Sequence, residues 1–122
     1  MKLHLTQAEN NNLITGYGDG YIEVNKQRYT HQIVVMAETL VLDWSANDFE
    51  SLSEAHFTDL ITLNPEVVLL GTGNAHRFVH PKLTVALSEK NIAIECMTTD
   101  AACRTYNILM SEGRKVAAAL LL

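Results

Sequence analysis

The hydrophobic pattern of this chain changes period near its middle. The first half reads at period two, the spacing of strands whose successive side chains point to opposite faces. Leu13 to Tyr17 is the first such run, and it leads into Gly16-Tyr17-Gly18-Asp19-Gly20. Asp-Gly signals a hairpin turn, because both residues tolerate positive φ. Tyr21 to Val24 predicts a second strand and Asn25-Lys26 a second tight turn. From Arg28 to Val35, the residues Tyr29, His31, Ile33 and Val35 fall on one face, and Thr39 to Trp44 is another apolar run of strand length. This half therefore reads as a set of short β-hairpins, entered through the polar turn or lead-in Asn10-Asn11-Asn12.

From Ser53 the spacing becomes helical. Phe57, Leu60 and Ile61 share a face while Glu54 and Asp59 point away. Ser53 suits an N-cap, and Pro65 stands where a helix cannot continue. Val67-Val68-Leu69-Leu70 is apolar on both faces, as in a strand covered on both sides, and it ends in Gly71-Thr72-Gly73. Pro81 opens a helix running to about Lys90. Ile92 to Met97 is the next strand. Thr98 or Thr99 caps a long helix with Asp100 in its first turn, and Gly113 ends it in the left-handed region. Arg114 to Leu122 is a last strand, apolar on both faces and so internal to a sheet. Helix, strand, helix, strand, helix, strand predicts an α/β fold with a mixed or largely parallel sheet, joined or layered by the leading hairpins.

Composition narrows the picture. With 122 residues the chain is expected to be one domain spanning residues 1–122, able to bury roughly two-thirds of its unfolded surface without metal or disulfide. The formal net charge of −5, with only nine Lys and Arg spread along the chain, argues against a nucleic-acid backbone or an anionic membrane surface as partner. No apolar run approaches a membrane span. The start of the chain, Met1 to Asn12, lacks the apolar core of a signal peptide. The expected location is therefore the cytoplasm, with Cys96 and Cys103 as free thiols.

Three blocks in order carry a family resemblance: Gly16 to Gly20; Pro65 to Gly73; and Met97-Thr98-Thr99-Asp100-Ala101-Ala102-Cys103-Arg104-Thr105-Tyr106-Asn107-Ile108-Leu109 with Glu112 to Ala119. The third is specific by its length. Together they resemble the Mth domain family, long carried as a domain of unknown function. The resemblance covers nearly the whole chain. It implies a three-layer domain: a mixed central sheet with helices on one side, and hairpin strands plus a helix on the other. It implies no reaction and no cofactor. A mitochondrial member serves the assembly of a respiratory complex through protein contacts, so the resemblance implies a protein partner.

Candidate chemistry gathers where the apolar strands end. Gly71, Thr72 and Gly73 lie at a strand's carboxyl end, where open α/β sheets bind ligands, and exposed amides there could hold an anion. Alternatively, the glycines permit a tight turn. His76 stands where a dinucleotide fingerprint needs a third glycine, and no Walker lysine follows. Thr98 and Thr99 would bring a helix N-terminus to the same edge if the strands ending at Gly71 and Met97 are parallel neighbours. Arg104, four residues beyond Asp100, reads either as an ion pair on one helix face or as an anion-binding group in a crevice, and Asn107 would extend that polar stripe. Trp44 either walls the crevice or belongs to the core.

The remaining candidates are weaker. Cys103 lacks a nearby base and reads more simply as a small buried hydrophobe. His76 and His80 have the spacing of helical metal ligands, but Pro81 breaks that helix and no third ligand is near. His4, His31 and His56 are scattered. Three readings stand: an accessory protein that binds a protein partner; a small-anion-binding protein or cryptic enzyme using the crevice of Trp44, Gly71, Thr72, Gly73, Thr98, Thr99, Arg104 and Asn107; or a purely architectural third block. A homo-oligomer is compatible with each.

Overall fold

The computed structural model describes residues 11–122. His4, Asn10 and most of the Met1 to Asn12 reading lie outside the described residues. Three strands form an antiparallel meander: β1 (Ile14–Gly18), β2 (Tyr21–Val24) and β3 (Gln27–Tyr29). The second sheet contains β4 (Ile33–Val35), β5 (Leu40–Val41), β6 (Val67–Thr72), β7 (Ala93–Met97) and β8 (Val116–Leu121), in the order β5-β4-β8-β6-β7. It is mixed: β6 runs parallel to both β7 and β8, and β4 antiparallel to both β5 and β8. The helices are α1 (Glu54–Ile61), α2 (Val85–Glu89), entered through a 3-10 turn at Pro81–Thr84, and α3 (Thr99–Ser111).

The layering follows from which side each strand residue faces. Every residue of β6 and β8 is buried, as strands covered on both faces must be. Val67, Leu69, Val116, Ala118 and Leu120 pack with Ala102, Cys103, Tyr106 and Met110 of α3 and with Ile14, Ile22 and Val24 of the meander. Val68, Leu70, Ala117, Ala119 and Leu121 face the other way, onto Phe57 and Leu60 of α1, Leu87 of α2, and Trp44. The central sheet thus has α1 and α2 on one side, and the meander plus α3 on the other. Ala117-Ala118-Ala119 keeps side chains short in the middle strand, and fully buried Phe57, Tyr106 and Leu69 fill the space so left.

Local signals explain most element ends. Ser53 caps α1, and its N–H donates to His56 Nδ1 at 3.0 Å, closing a capping box in which histidine takes the usual glutamate's place. Thr98 caps α3 and Gly113 follows that helix with φ of 83°.

Three expectations need correction. The run from Arg28 to Val35 is not one strand: β3 ends at Tyr29 and β4 begins at Ile33, in the other sheet. The chain changes layer there, so a single alternation cannot persist. His31 is exposed, and Val34 is buried as fully as Ile33 and Val35, on the opposite face. Thr39 to Trp44 contributes only Leu40–Val41 to the sheet, and Trp44 is buried from a loop. In the first hairpin Gly20 alone takes positive φ, 76°, so Asp19 is not left-handed.

The second hairpin needs positive φ at both central residues, Asn25 at 52° and Lys26 at 73°. Lysine there carries steric strain of about 1 kcal/mol, while Lys26 N–H is already held by Thr15 Oγ1 at 2.9 Å. Lys26→Gly, which creates the preferred Asn-Gly turn, is therefore expected to raise stability by about 0.5 kcal/mol after the unfolded-chain entropy is set against it. Urea denaturation measures this; a fall in stability would show that the lysine side chain contributes more than its backbone costs.

Candidate functional site

Gly71 stands opposite Met97 in the parallel β6–β7 ladder. The loop after β6 and the start of α3 therefore emerge at one sheet edge, side by side. Thr99 joins them. Its N–H donates to the Gly73 carbonyl at 3.0 Å. Its hydroxyl accepts from Gly73 N–H at 2.8 Å and donates to the Leu121 carbonyl at 2.5 Å. One buried threonine thus ties the ends of three parallel strands. Gly71 is required by the same contact: a Cβ there would sit 2.9 Å from Thr99 Oγ1 and 3.0 Å from Thr99 Cα. Gly73 has φ of 89°.

Thr72 performs the next step of the turn. Its hydroxyl donates to the Ala75 carbonyl at 2.6 Å, lies 3.1 Å from the Met97 carbonyl, and accepts from Arg77 N–H at 3.3 Å. Thr98 Oγ1 caps α3 by accepting from Ala101 N–H at 3.4 Å. The Gly73 amide, which an anion site would have used, is thus occupied by the protein's own threonine.

The eight residues singled out in the sequence divide among three places. Gly71, Thr72, Gly73, Thr98 and Thr99 share the sheet edge. Arg104 and Asn107 face the meander instead. Arg104 donates to the Tyr17 hydroxyl at 2.8 Å, with its guanidinium 5.9 Å from that ring's centre; no ion pair joins it to Asp100 among the described residues. Asn107 accepts from Ile14 N–H at 3.0 Å and donates to the Ile14 carbonyl at 2.8 Å. Its amide copies a strand neighbour and fastens β1 to α3. Trp44 lies on the far face of the central sheet, edge-on to His56 with ring centres 6.2 Å apart. It borders a cavity of about 280 Å³ with Val41, Asp43 and Asp59, and its indole N–H has no acceptor among the described residues.

Burial pushes the Cys103 thiol up to about 12, with Asp100 adding to the shift and Arg104 opposing it. The protonated thiol is a poor nucleophile at neutral pH. His80 Nδ1 accepts from Lys82 N–H at 3.2 Å and caps the 3-10 turn, while the His76 ring lies tilted at 48° against Phe78. Among the described residues no group of three His, Cys, Asp or Glu is placed to share a metal ion.

The loop between Gly73 and Pro81 holds more than the two histidines that its sequence pattern singles out. Arg77 lies 5.1 Å from the Phe49 ring centre and pairs with Glu50, whose carboxyl it holds below the usual range. Phe78 is 77% exposed. An arginine and a phenylalanine between two histidines, bounded by Gly73 and Pro81, was the available sequence signal.

A family model described as "Protein of unknown function (DUF498/DUF598)" matches residues 14–121. The chain belongs to that family. A relative from Mus musculus, named NADH dehydrogenase [ubiquinone] 1 alpha subcomplex assembly factor 3, is 35% identical over 89 residues, covering 71% of this chain and 48% of the mouse protein. This chain therefore spans about half the length of that relative. A Francisella tularensis protein named "13 kDa major membrane protein" is 29% identical over 102 residues, 82% of each chain. The solution structure of a Bordetella pertussis protein, described as a Mth938-like domain, superposes with a TM-score of 0.80 at 34% identity, covering 90% of this chain and 85% of that one. The Mth-type resemblance is thus borne out, and the superposition shows that the two chains share a fold. No described helix of this DUF498/DUF598 chain is long and apolar enough to cross a membrane.

Two outcomes test these placements. Asn107→Ala strands the Ile14 N–H and carbonyl and is expected to cost about 2–3 kcal/mol in urea denaturation, whereas Arg104→Ala, at the exposed end of the same helix face, leaves the midpoint nearly unchanged. Equal losses would overturn the division of roles between them. Thiol labelling at pH 8 is expected to modify Cys96, which is half-buried, and to reach Cys103 only through unfolding. Because the Cys103 thiol ionises near 12 in the fold but near 8.5 in an unfolded chain, its contribution to stability is present below that lower value and is lost as pH rises toward the upper one. Rapid native labelling of Cys103 would show that its burial is transient.

Proposed function

We propose that this protein is an accessory, assembly-type factor that works by holding a protein partner, and that it acts in the cytoplasm. Kinship with the mouse assembly factor, 35% identical over 89 residues, carries the reading. The sheet edge supports it. At the position where α/β proteins receive small ligands, both polar backbone groups of Gly73 are engaged by Thr99. Arg104 is engaged with Tyr17. Small-anion binding would require those bonds to be exchanged for ligand contacts, at a net cost of about 1 kcal/mol for each bond not replaced.

Gentle affinity purification from the native cells tests the reading, with soluble and membrane fractions kept apart and complexes read by native mass spectrometry. The expected result is a stoichiometric protein complex in the soluble fraction, retained by the folded variant Arg104→Ala. A bare chain in both fractions would overturn the accessory role. A small-molecule adduct lost in Arg104→Ala would move the function to ligand chemistry, and a complex confined to the membrane fraction would overturn the location alone.

A further inference from the structure

One buried donor is left without an acceptor. Trp44 is 7% exposed, and its indole N–H makes no hydrogen bond among the described residues. Such a group is costly to keep, and native proteins keep few of them. The surroundings of the ring do not supply the bond. Trp44 belongs to the apolar cluster of Val34, Phe57 and Leu60. The His56 ring meets it edge-on, and His56 Nδ1 already accepts from Ser53 N–H. An acceptor for the indole therefore has to come from outside the protein.

Trp44 also forms part of the wall of a cavity of about 280 Å³, just below the roughly 300–1,000 Å³ of small-molecule pockets. Val34, Val41, Leu60 and Leu63 make its sides aliphatic. Asp43 and Asp59 are exposed and stand at its rim. The lining contains no Lys, Arg or His. Among the described residues no ion pair engages either carboxylate, from His56 or from any Lys or Arg. Two carboxylates without a counter-charge repel an anion and attract a cation. The rim thus calls for positive charge, the sides for an alkyl stem, and the indole for an acceptor.

We propose that the Trp44 cavity binds a small organic cation. The ligand is an alkylammonium whose stem lies along Val34, Val41, Leu60 and Leu63, whose ammonium sits at Asp43 and Asp59, and whose oxygen accepts from the Trp44 N–H. That oxygen is a neutral hydroxyl or carbonyl, because a carboxylate would be taken out of water beside two negative charges. The site lies on the α1 side of the central sheet and goes beyond the accessory reading.

Trp44 is the one tryptophan of the chain, so its indole N–H gives a single side-chain resonance in a proton–nitrogen correlation spectrum. The full chain is titrated separately with aminopentanol carrying its two groups at opposite ends, with pentylamine, and with hydroxypentanoate. Aminopentanol is expected to shift the indole resonance saturably, with the millimolar affinity of a ligand of so few atoms. Pentylamine is expected to bind about fivefold more weakly for want of the oxygen, and hydroxypentanoate to leave the resonance unmoved. Asp43→Asn and Asp59→Asn are each expected to weaken aminopentanol roughly threefold, with unchanged thermal midpoints. In Trp44→Phe, read from the ligands' own proton signals, the two amines are expected to bind alike. No saturable shift with either amine means that water alone meets the donor, and it overturns the site. Hydroxypentanoate binding as tightly as aminopentanol, or full affinity in both Asn variants, overturns the cationic class. Equal binding of the two amines by the native chain overturns the role of the indole N–H. Each of these outcomes leaves the accessory reading to its own purification test.

Discussion

Covering two strands on both faces is the constraint from which the rest of this structure follows. β6 and β8 are parallel neighbours whose residues are all buried. Neither strand can be stable until both its faces are roofed, because each exposed Leu or Val would forfeit about 1.5–3 kcal/mol of burial. One roof is made by α1 and α2, the other by α3 and the meander. The parallel connections force the helices: β6 to β7 and β7 to β8 cannot be joined by tight hairpins, so α2 and α3 lie in the crossovers. Alanine at 117, 118 and 119 then sets the distance at which both roofs sit.

The sheet edge shows how such packing shapes function. Close approach of α3 to β6 leaves no room for a side chain at Gly71, and it puts the Thr99 hydroxyl where it reaches both Gly73 and Leu121. A glycine loop facing a helix N-terminus has the parts of an anion site. Here the helix is so near that its own threonine takes the amide. The loop is thereby fixed at its base. One contact thus occupies the Gly73 amide and holds the base of the loop.

The sequence disclosed what depends on short-range chemistry. The turn at Asn25-Lys26, the caps at Ser53 and Thr98, the left-handed stop at Gly113 and the two-faced strands β6 and β8 were all readable, because each is fixed by residues close in the chain. The break between Tyr29 and Ile33 was not, since alternation along a strand carries no record of which sheet its neighbour belongs to. The site was legible only in part for the same reason. Thr98, Thr99 and Gly71 to Gly73 meet because two strands are parallel, a relation the α/β alternation implies. Asn107 turns to Ile14, 93 positions away, and helical spacing gives no sign of a partner so distant. Trp44, read as strand, comes from a loop and fills the opposite face.

The division of labour on α3 explains why its sequence looked functional. Ala102, Cys103, Tyr106 and Met110 form the buried stripe, the polar positions beside it are used against the meander, Arg104 on Tyr17 and Asn107 on Ile14, and the stripe's own Tyr106 hydroxyl donates to the Asn12 carbonyl, just before β1, at 2.7 Å. A three-stranded meander has little core of its own, and its unpaired backbone groups at β1 would face the helix without partners. Polar side chains that meet them satisfy a requirement which apolar packing cannot. The polar density of this block therefore arises from docking a sheet edge onto a helix.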